Sequence, residues 1–221
     1  MSSCLSTGNL QLSGFALATS GWILAPTSMG QTDWRVWHLD NTTSIISSGI
    51  AWVGIWKVCF YNTILLSPQG RSVKICHTYG MFNSLLSQDF RAVQNIFLFA
   101  CILGVLGKVS IILALRNFYM GAARRSTTCN LFTIGGFFYL FAGICILICV
   151  IWNFYAVSKN ESLTFPATFY LPPRPKTQEV GNAVSMAITS AILMLLGGGI
   201  FLFCKFHREC QVYPLIRDIN F

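Results

Sequence analysis

The most regular feature of this sequence is the alternation of long apolar runs with polar segments. Each run approaches or exceeds the roughly 17–25 residues that a helix needs to cross the hydrocarbon core of a bilayer. The pattern predicts four membrane helices, at about residues 10–27, 95–115, 131–152 and 183–203. The first run is diluted by serine, threonine and Pro26, and no lysine or arginine precedes it. Because a cleaved signal begins with a basic region, we interpret this run as a signal-anchor helix.

Charged residues sort by loop and predict the orientation of the chain. Only 10% of the residues are charged, against about 25% in a soluble domain, and the net charge is +8. The short turn after the second helix carries Arg116, Arg124 and Arg125 without an acidic residue, whereas the two long loops mix both signs. Short basic loops stay in the cytoplasm. We therefore predict a multi-pass plasma-membrane protein with both termini inside and the two long loops outside.

The predicted extracellular loops cover about residues 28–94 and 153–182, and a cytoplasmic tail follows at 204–221. Residues 34–37 and 50–61 of the first loop are rich in tyrosine, valine, isoleucine and tryptophan, which favour strands. The fold class is therefore that of a mainly α membrane protein. A single domain, 1–221, would combine a four-transmembrane-helix bundle with a small extracellular antiparallel β-sheet from the two loops.

Cysteines and glycosylation sequons agree with this orientation. Of nine cysteines, only Cys59 and Cys76 lie in the predicted extracellular loops, and two cysteines alone in an oxidising compartment are expected to form a disulfide. In the chain-entropy account, closing a loop of this length is worth roughly 3 kcal/mol. Sequons begin at Asn41 and Asn160 in the same loops, so both are candidate glycosylation sites.

Two features near the cytoplasmic ends of helices allow alternative interpretations. Cys204 and Cys210 follow the fourth helix, where cysteines are either palmitoylated or free thiols. Lys108 lies about two turns inside the cytoplasmic end of the second helix. We expect its ammonium to snorkel to the lipid headgroups, with a hydrogen bond inside the bundle as the alternative.

The chain lacks the patterns of an enzyme. His38, His77 and His207 are scattered without metal-ligand spacing, and Cys145 and Cys149 do not form a C-x-x-C motif. No glycine-rich phosphate loop lies outside the predicted helices. We therefore predict no catalytic site, no cofactor and no metal. The positive charge does not indicate nucleic acid either, because no basic patch is interleaved with aromatic residues in a soluble stretch.

The first loop resembles that of a known family. It contains, in order, Trp34, Gly54, Ile55, Trp56, Cys59 and Cys76. This order resembles the W…G-L-W…C…C signature of the claudins, with isoleucine in place of leucine. Residues 169–172, 179–181 and 196–199 resemble further family elements in the second loop and the fourth helix.

The resemblance implies a tight-junction protein with four membrane helices. Claudins polymerise side by side in one membrane and meet counterparts on the next cell. Their extracellular sheets seal the cleft between cells or line ion-selective pores. The expected partners are therefore the chain itself or other claudins, both in cis and in trans, and the lipid bilayer.

Three departures from the family pattern accompany this resemblance. The sixteen residues between Cys59 and Cys76 exceed the usual claudin spacing, and Gln94 stands where claudins usually carry arginine. Claudins typically end in Tyr-Val, which docks a junctional scaffold, but this chain ends Ile219-Asn220-Phe221. This atypical end either enters a different cytoplasmic scaffold pocket by strand addition or stays unbound.

The resemblance also implies candidate pore residues. The position after the second cysteine lines the pore in several claudins, and here it is His77, with Lys57, Arg71 and Lys74 close in sequence. The first loop carries five basic and three acidic residues, so a seal or a weakly anion-preferring pore is expected. If His77 faces the pore, selectivity is expected to be pH-sensitive, because histidine is the side chain that changes charge near physiological pH. The alternative is that these are solvated loop charges.

Phe169, Tyr170 and Leu171 are candidate contacts across the cell gap, because exposed loop aromatics are plausible interface anchors. The alternative is packing against the first-loop sheet. Trp34 and Trp56 are expected to be structural.

A second function fits the same motif. PMP22-like proteins and calcium-channel gamma subunits share it and have four helices, but they regulate adhesion or a channel without forming strands. The unusual tail and the longer cysteine loop keep this alternative open.

Overall fold

The computed structural model of the chain describes residues 2–39, 46–62, 73–80, 87–120, 125–163, 165, 169, 171–172 and 174–203. The elements in chain order are α1 (Ser2–Gly30), β1 (Arg35–His38), β2 (Ile46–Val53), β3 (Lys57–Asn62), β4 (Val73–Thr78), α2 (Gln88–Met120), α3 (Arg125–Ser158), β5 (Thr177–Val180) and α4 (Asn182–Phe203). All four predicted helices and the predicted sheet are present.

Within the described part of the chain, three of the four helices are long and apolar enough to cross a membrane. These are α2, α3 and α4, within Gln88–Met120, Ser126–Ser158 and Asn182–Leu202. α1 has 29 residues but is not among these three helices, so its membrane crossing stays a prediction. The connection between α2 and α3 is shorter than the sequence pattern indicated, because both helices extend into the segment expected to be a turn. Cys129 therefore lies within α3.

Local hydrogen bonds explain where α2 begins and α3 ends. The Ser87 side chain accepts a hydrogen bond from the Phe90 backbone at 3.4 Å, as an N-cap does. At the C-terminal end of α3, Asn160 adopts a left-handed conformation with φ of 50°. Its N–H donates to Val157 O and the Glu161 N–H donates to Ala156 O, which is the Schellman pattern at a helix C-terminus.

The five strands form one antiparallel sheet in the order β4-β3-β2-β1-β5. The first four strands come from the segment between α1 and α2, and β5 comes from the segment between α3 and α4. β5 pairs with β1, with Trp37 opposite Gln178. The sheet therefore joins the two long loops.

The chain divides into two compact units. The described residues within 2–23, 99–144 and 190–203 form the helical unit, and those within 24–98 and 145–189 form the sheet unit. In the helical unit, small residues bring helix backbones close together. A Cβ on Gly198 would lie 2.9 Å from Gly136 O, and the Ser190 hydroxyl donates to Gly21 O at 2.6 Å. Such contacts hold membrane helices together where lipid removes the hydrophobic driving force.

Lys108 has an aromatic partner in the helical unit. Trp22 Nε1 donates to Cys101 O at 3.0 Å, and the indole ring packs on Gly104. The Lys108 ammonium lies 4.0 Å from the centroid of this ring. The structure thus gives the ammonium an aromatic partner, and its snorkelling to the lipid headgroups stays a prediction. A cation over an indole face gains electrostatic attraction without leaving the helix surface.

In the sheet unit, one face of the sheet covers an apolar core. Its buried members are Trp37, Leu39, Ala51, Val53, Val58, Phe60, Tyr79, Phe90 and Leu163. Successive residues of a strand point to opposite faces. Trp37, Val53 and Phe60 thus define an inner face, and their strand neighbours define an outer face.

Candidate functional site

The signature residues of the first loop hold the sheet unit together. Trp34 Nε1 donates to Ser28 O at 2.8 Å, and its ring meets Phe97 edge to face. A Cβ on Gly54 would collide with the Gln31 carbonyl oxygen, so only glycine fits there. Ile55 is buried. These contacts give a structural reason for the tryptophan at position 34 and the glycine at position 54.

Cys59 and Cys76 face each other across β3 and β4 and form a disulfide. Their strand positions place the disulfide on the outer face, where Cys59 is buried and Cys76 is exposed. The predicted pairing is present. It fixes the register of β4, which lies at the edge of the sheet among the strands that the structure describes.

The outer face carries basic and aromatic side chains around the disulfide. Lys57 and Tyr61 flank Cys59 on this face, while Lys74 flanks Cys76. The Lys74 ammonium lies 5.2 Å from the Trp52 ring, and Trp52 meets Tyr61 edge to face at 5.7 Å. We call the set Trp52, Lys57, Tyr61 and Lys74 the basic-aromatic patch.

His77 belongs to the opposite face. It is paired with Val58, and its ring stacks on Phe169 with centroids 4.6 Å apart. The centroid of the Phe60 ring lies 5.9 Å from that of His77. The structure therefore separates His77 from Lys57 and Lys74, which the sequence had grouped. The fourth member of that group, Arg71, lies outside the described residues.

The second-loop candidates pack against the same core. Phe169 and Leu171 are half-buried against the apolar cluster. This arrangement corresponds to the packing alternative that the sequence left open, and a contact across the cell gap stays a prediction for both. Tyr170, their neighbour, lies outside the described residues.

A buried arginine beneath the sheet was not singled out by the sequence. Arg35 is 5% exposed, and its Nε donates to Asn153 Oδ1 of α3 at 2.7 Å. The Asn153 amide in turn donates to Trp34 O at 3.3 Å. Burial lowers the pKa of Arg35 to about 10, although attraction to Glu161 and Tyr79 opposes the shift. Arg35 therefore stays charged at neutral pH and ties β1 to α3.

Two further buried polar residues bind the turn between β2 and β3. Gln94 of α2 donates to Ile55 O at 2.8 Å, so the residue that replaces the usual claudin arginine has a structural role. The Tyr79 hydroxyl donates to Gly54 O, and burial raises the pKa of this phenol. A strand pattern cannot reveal such contacts, because each partner lies in a distant segment.

The modification candidates are distributed as follows. The Asn160 side chain is exposed, and its backbone conformation caps α3. Asn41, Cys204, Cys210 and the chain end Ile219-Asn220-Phe221 lie outside the described residues. Within the described ranges, no group of three or more His, Cys, Asp or Glu side chains is placed to hold a metal ion.

Known proteins resemble this chain over most of its length. A family model described as PMP-22/EMP/MP20/Claudin tight junction matches residues 16–203. Claudin-19 of Mus musculus is 26% identical over 202 residues, which cover 90% of this chain and 82% of the relative. Claudin-4 of Bos taurus is 26% identical over 198 residues, with coverages of 88% and 85%. Claudin-like protein ZF-A9 of Danio rerio is 27% identical over 217 residues, with coverages of 95% and 88%.

The family match spans α2, α3, α4, the whole sheet and the second half of α1. Four helices, three of them long and apolar, and a five-stranded antiparallel sheet with one disulfide fit this family. The chain therefore belongs to the PMP-22/EMP/MP20/Claudin family as a divergent claudin, a multi-pass membrane protein of the tight junction.

Proposed function

We propose that this claudin forms cell–cell contacts and a paracellular barrier or a weakly anion-preferring pathway, with its sheet outside the cell. The observation that carries the proposal is the basic-aromatic patch on the outer face of the sheet. Lys57 and Lys74 lie on this one face, to either side of the disulfide. β3 and β4, which carry the two lysines, are paired neighbours in the sheet, so one surface presents both charges.

The proposed anion preference rests on electrostatic interactions that act over short distances. Two unit charges 4 Å apart interact by about 1 kcal/mol in water and by more beside a low-dielectric wall. A narrow cleft lined by one sign of charge also concentrates the opposite ion. On the outer face, Glu179 of β5 lies 3.5 Å from His38 of β1. The patch residues lie on β2, β3 and β4, towards the other edge of the sheet. Lys57 and Lys74 therefore favour anions locally.

The proposed orientation places both termini in the cytoplasm. It is supported by the basic turn and tail in the sequence and by the disulfide, which requires an oxidising compartment. The proposed partners are further copies of the chain or other claudins, in cis and in trans. A cytoplasmic scaffold that binds residues 219–221 by strand addition is a further proposed partner.

Family membership points to a structural junction protein and not to an enzyme. The decisive experiment is expression in fibroblasts that lack tight junctions, followed by freeze-fracture of the cell–cell contacts. Continuous intramembrane strands are the expected result. The chain is expressed once alone and once together with other claudins. If it reaches the cell surface in both cases but never enters strands, the proposal is contradicted and a role like that of the channel-regulating or adhesion relatives is favoured.

A further inference from the structure

One lysine lies inside the apolar run of α2. Along the helix axis, at about 1.5 Å per residue, Lys108 lies about 18 Å beyond Ile96 and about 10 Å before Leu115. Lys108 is half-buried, whereas Val105 and Ile112, one turn away on either side, are exposed. In a helix that crosses a membrane, these side chains face hydrocarbon. A cation at such a depth is costly and usually has an anionic or polar partner.

The indole of Trp22 holds the ammonium on the side of Lys108 that is farther from Leu115. Trp22 Nε1 donates to Cys101 O at 3.0 Å and the ring packs on Gly104, and both of these residues precede Lys108 in α2. The ammonium lies 4.0 Å from the ring centroid. An indole face attracts a cation but carries no net negative charge. The ring therefore orients the ammonium without neutralising it.

No described acidic side chain is placed to neutralise this ammonium. Among the described residues, no carboxylate lies within 4 Å of Lys108. Asp89, in the first turn of α2, is the only acidic residue in the four described helices, and it lies about 28 Å along the axis from Lys108. A second copy in the same membrane has the same orientation, so its Asp89 lies at that same distant depth. The counter-charge therefore has to come from a different molecule.

Lipid headgroups are poorly placed to supply this charge. Their phosphates lie outside the hydrocarbon core, and the nearer boundary is on the Leu115 side, away from which the ammonium points. A membrane helix, in contrast, can carry a carboxylate at any depth. The α2 surface beside Lys108 also suits a helix, because Val105, Val109 and Ile112 are all exposed and apolar.

We propose that the α2 face around Lys108 is a docking site for a membrane helix of a different protein that carries one carboxylate at mid-depth. The carboxylate accepts a hydrogen bond from the ammonium, which stays over the Trp22 ring. Val105, Val109 and Ile112 pack on the partner helix. Since no water competes in the hydrocarbon core, one such pair selects the partner. The site belongs to the helical unit and does not depend on strands, a barrier or a pore.

The test measures the binding of a synthetic membrane helix to the full chain in phosphatidylcholine vesicles at about pH 7.4. The probe is a leucine-alanine helix with one glutamate at its midpoint, and its match carries glutamine there. Förster transfer between labels on the purified chain and on the peptide gives the affinity. We expect the unchanged chain to bind the glutamate peptide at least about tenfold more tightly than the glutamine peptide.

Three variants assign this preference to the cation. Lys108→Met removes the charge and should abolish the preference, whereas Lys108→Arg keeps a cation and should retain it. Lys159→Met is the matched control, because it removes a lysine that lies beside Tyr155 at the end of α3, and it should change nothing. If Lys108→Met does not fold, the comparison of the two peptides on the unchanged chain decides the question alone.

Other outcomes overturn the proposal. Equal affinity for the two peptides, or a preference that survives in Lys108→Met, means that the ammonium does not recognise a carboxylate. Tighter binding of a peptide whose glutamate lies two turns from the midpoint means that the ammonium snorkels to a membrane boundary. Loss of the preference when phosphatidylserine is added to the vesicles means that an anionic lipid headgroup occupies the site.

Discussion

At the scale of single residues, the buried Arg35 shows how a charge becomes part of this fold. Its Nε–Asn153 hydrogen bond joins residues 118 positions apart. Removing one partner of a buried charged hydrogen bond costs more than the bond contributes, because the other partner stays desolvated. The energetic role of Asn153 is therefore to provide an acceptor for the arginine.

We expect Asn153→Ala to lower the free energy of unfolding by roughly 1.5–3 kcal/mol. Asn153→Asp keeps an oxygen for Arg35 and adds a compensating charge, so it should be much better tolerated. Trp34 O keeps its hydrogen bond from the Gly181 N–H in both variants. Unfolding of the purified variants in detergent measures the difference. Equal losses in both would show that the Arg35 contact is not what Asn153 provides.

Tyr79 gives a prediction with a pH dependence. Burial raises the pKa of its phenol above the ordinary value of about 10. Its contribution to stability is complete below about pH 10 and is lost as pH rises further, because the unfolded chain then releases a proton that the folded chain keeps. The loss approaches about 1.4 kcal/mol per pH unit.

Tyr79→Phe removes the hydrogen bond to Gly54 O, so at neutral pH we expect it to be less stable by about 0.5–1.5 kcal/mol. This difference should shrink as pH rises from 9 to 11, because only the parent protein carries the phenol. Arg35, whose pKa burial lowers to about 10, changes stability in the opposite direction but is present in both proteins. A difference that stays constant with pH would show that the phenol is not protected by burial.

At the scale of elements, the turn between β2 and β3 depends on one glycine. A Cβ on Gly54 would meet the backbone of Gln31 and Thr32, neither of which is the flexible end of a side chain. We expect Gly54→Ala to lower the yield of folded, surface-delivered protein severely. Gly80→Ala is the matched control, since no described atom lies within 4 Å of a Cβ there. Surface biotinylation compares them, and equal delivery of both variants would contradict the close-approach explanation.

The disulfide is the second element-scale constraint. Cys59→Ser releases β4 from β3, and the loss expected from loop entropy is roughly 3 kcal/mol. We therefore expect most of this variant to be retained inside the cell. Cys129→Ser, which changes a free cysteine of α3, should be delivered normally. Normal delivery of Cys59→Ser would mean that sheet pairing alone holds β4.

Much of this fold was predictable from pattern, and the exceptions have physical causes. Apolar length identified the helices, and cysteine placement identified the disulfide. A contribution of the second loop to the sheet was expected, but the position of β5 and its pairing with β1 were not visible, because Thr177–Val180 is four residues long and mostly polar. The Arg35–Asn153 contact depends on tertiary proximity alone. Strand alternation places His77 on the sheet face opposite to the lysines. This could be deduced only once it was known that Cys76 lies on the outer face of the sheet.

At the scale of the whole molecule, strand alternation places charged side chains on the outer face of the sheet and apolar side chains on its inner face. Lys57 and Lys74 lie on the outer face with the disulfide, whereas His77 stacks on Phe169 beneath the sheet. A charged side chain affects ion permeation only if it lies close to the path of the ions. Selectivity should therefore follow the lysines, and the histidine should matter for the position of the second loop.

We expect Lys57→Gln with Lys74→Gln to reduce the chloride-to-sodium permeability ratio by roughly two- to fivefold, since about 1 kcal/mol corresponds to about fivefold. Dilution potentials across epithelial monolayers that express each variant at equal surface level measure this ratio. Lys159→Gln is the matched control, because it removes an exposed lysine that lies beside Tyr155 and not on the sheet. His77→Gln should leave both the ratio and its response between about pH 6 and 7.5 unchanged, because this ring lies away from the outer face. Loss of the pH response in His77→Gln, with no effect of the two lysines, would place the ion path on the inner face and overturn this assignment.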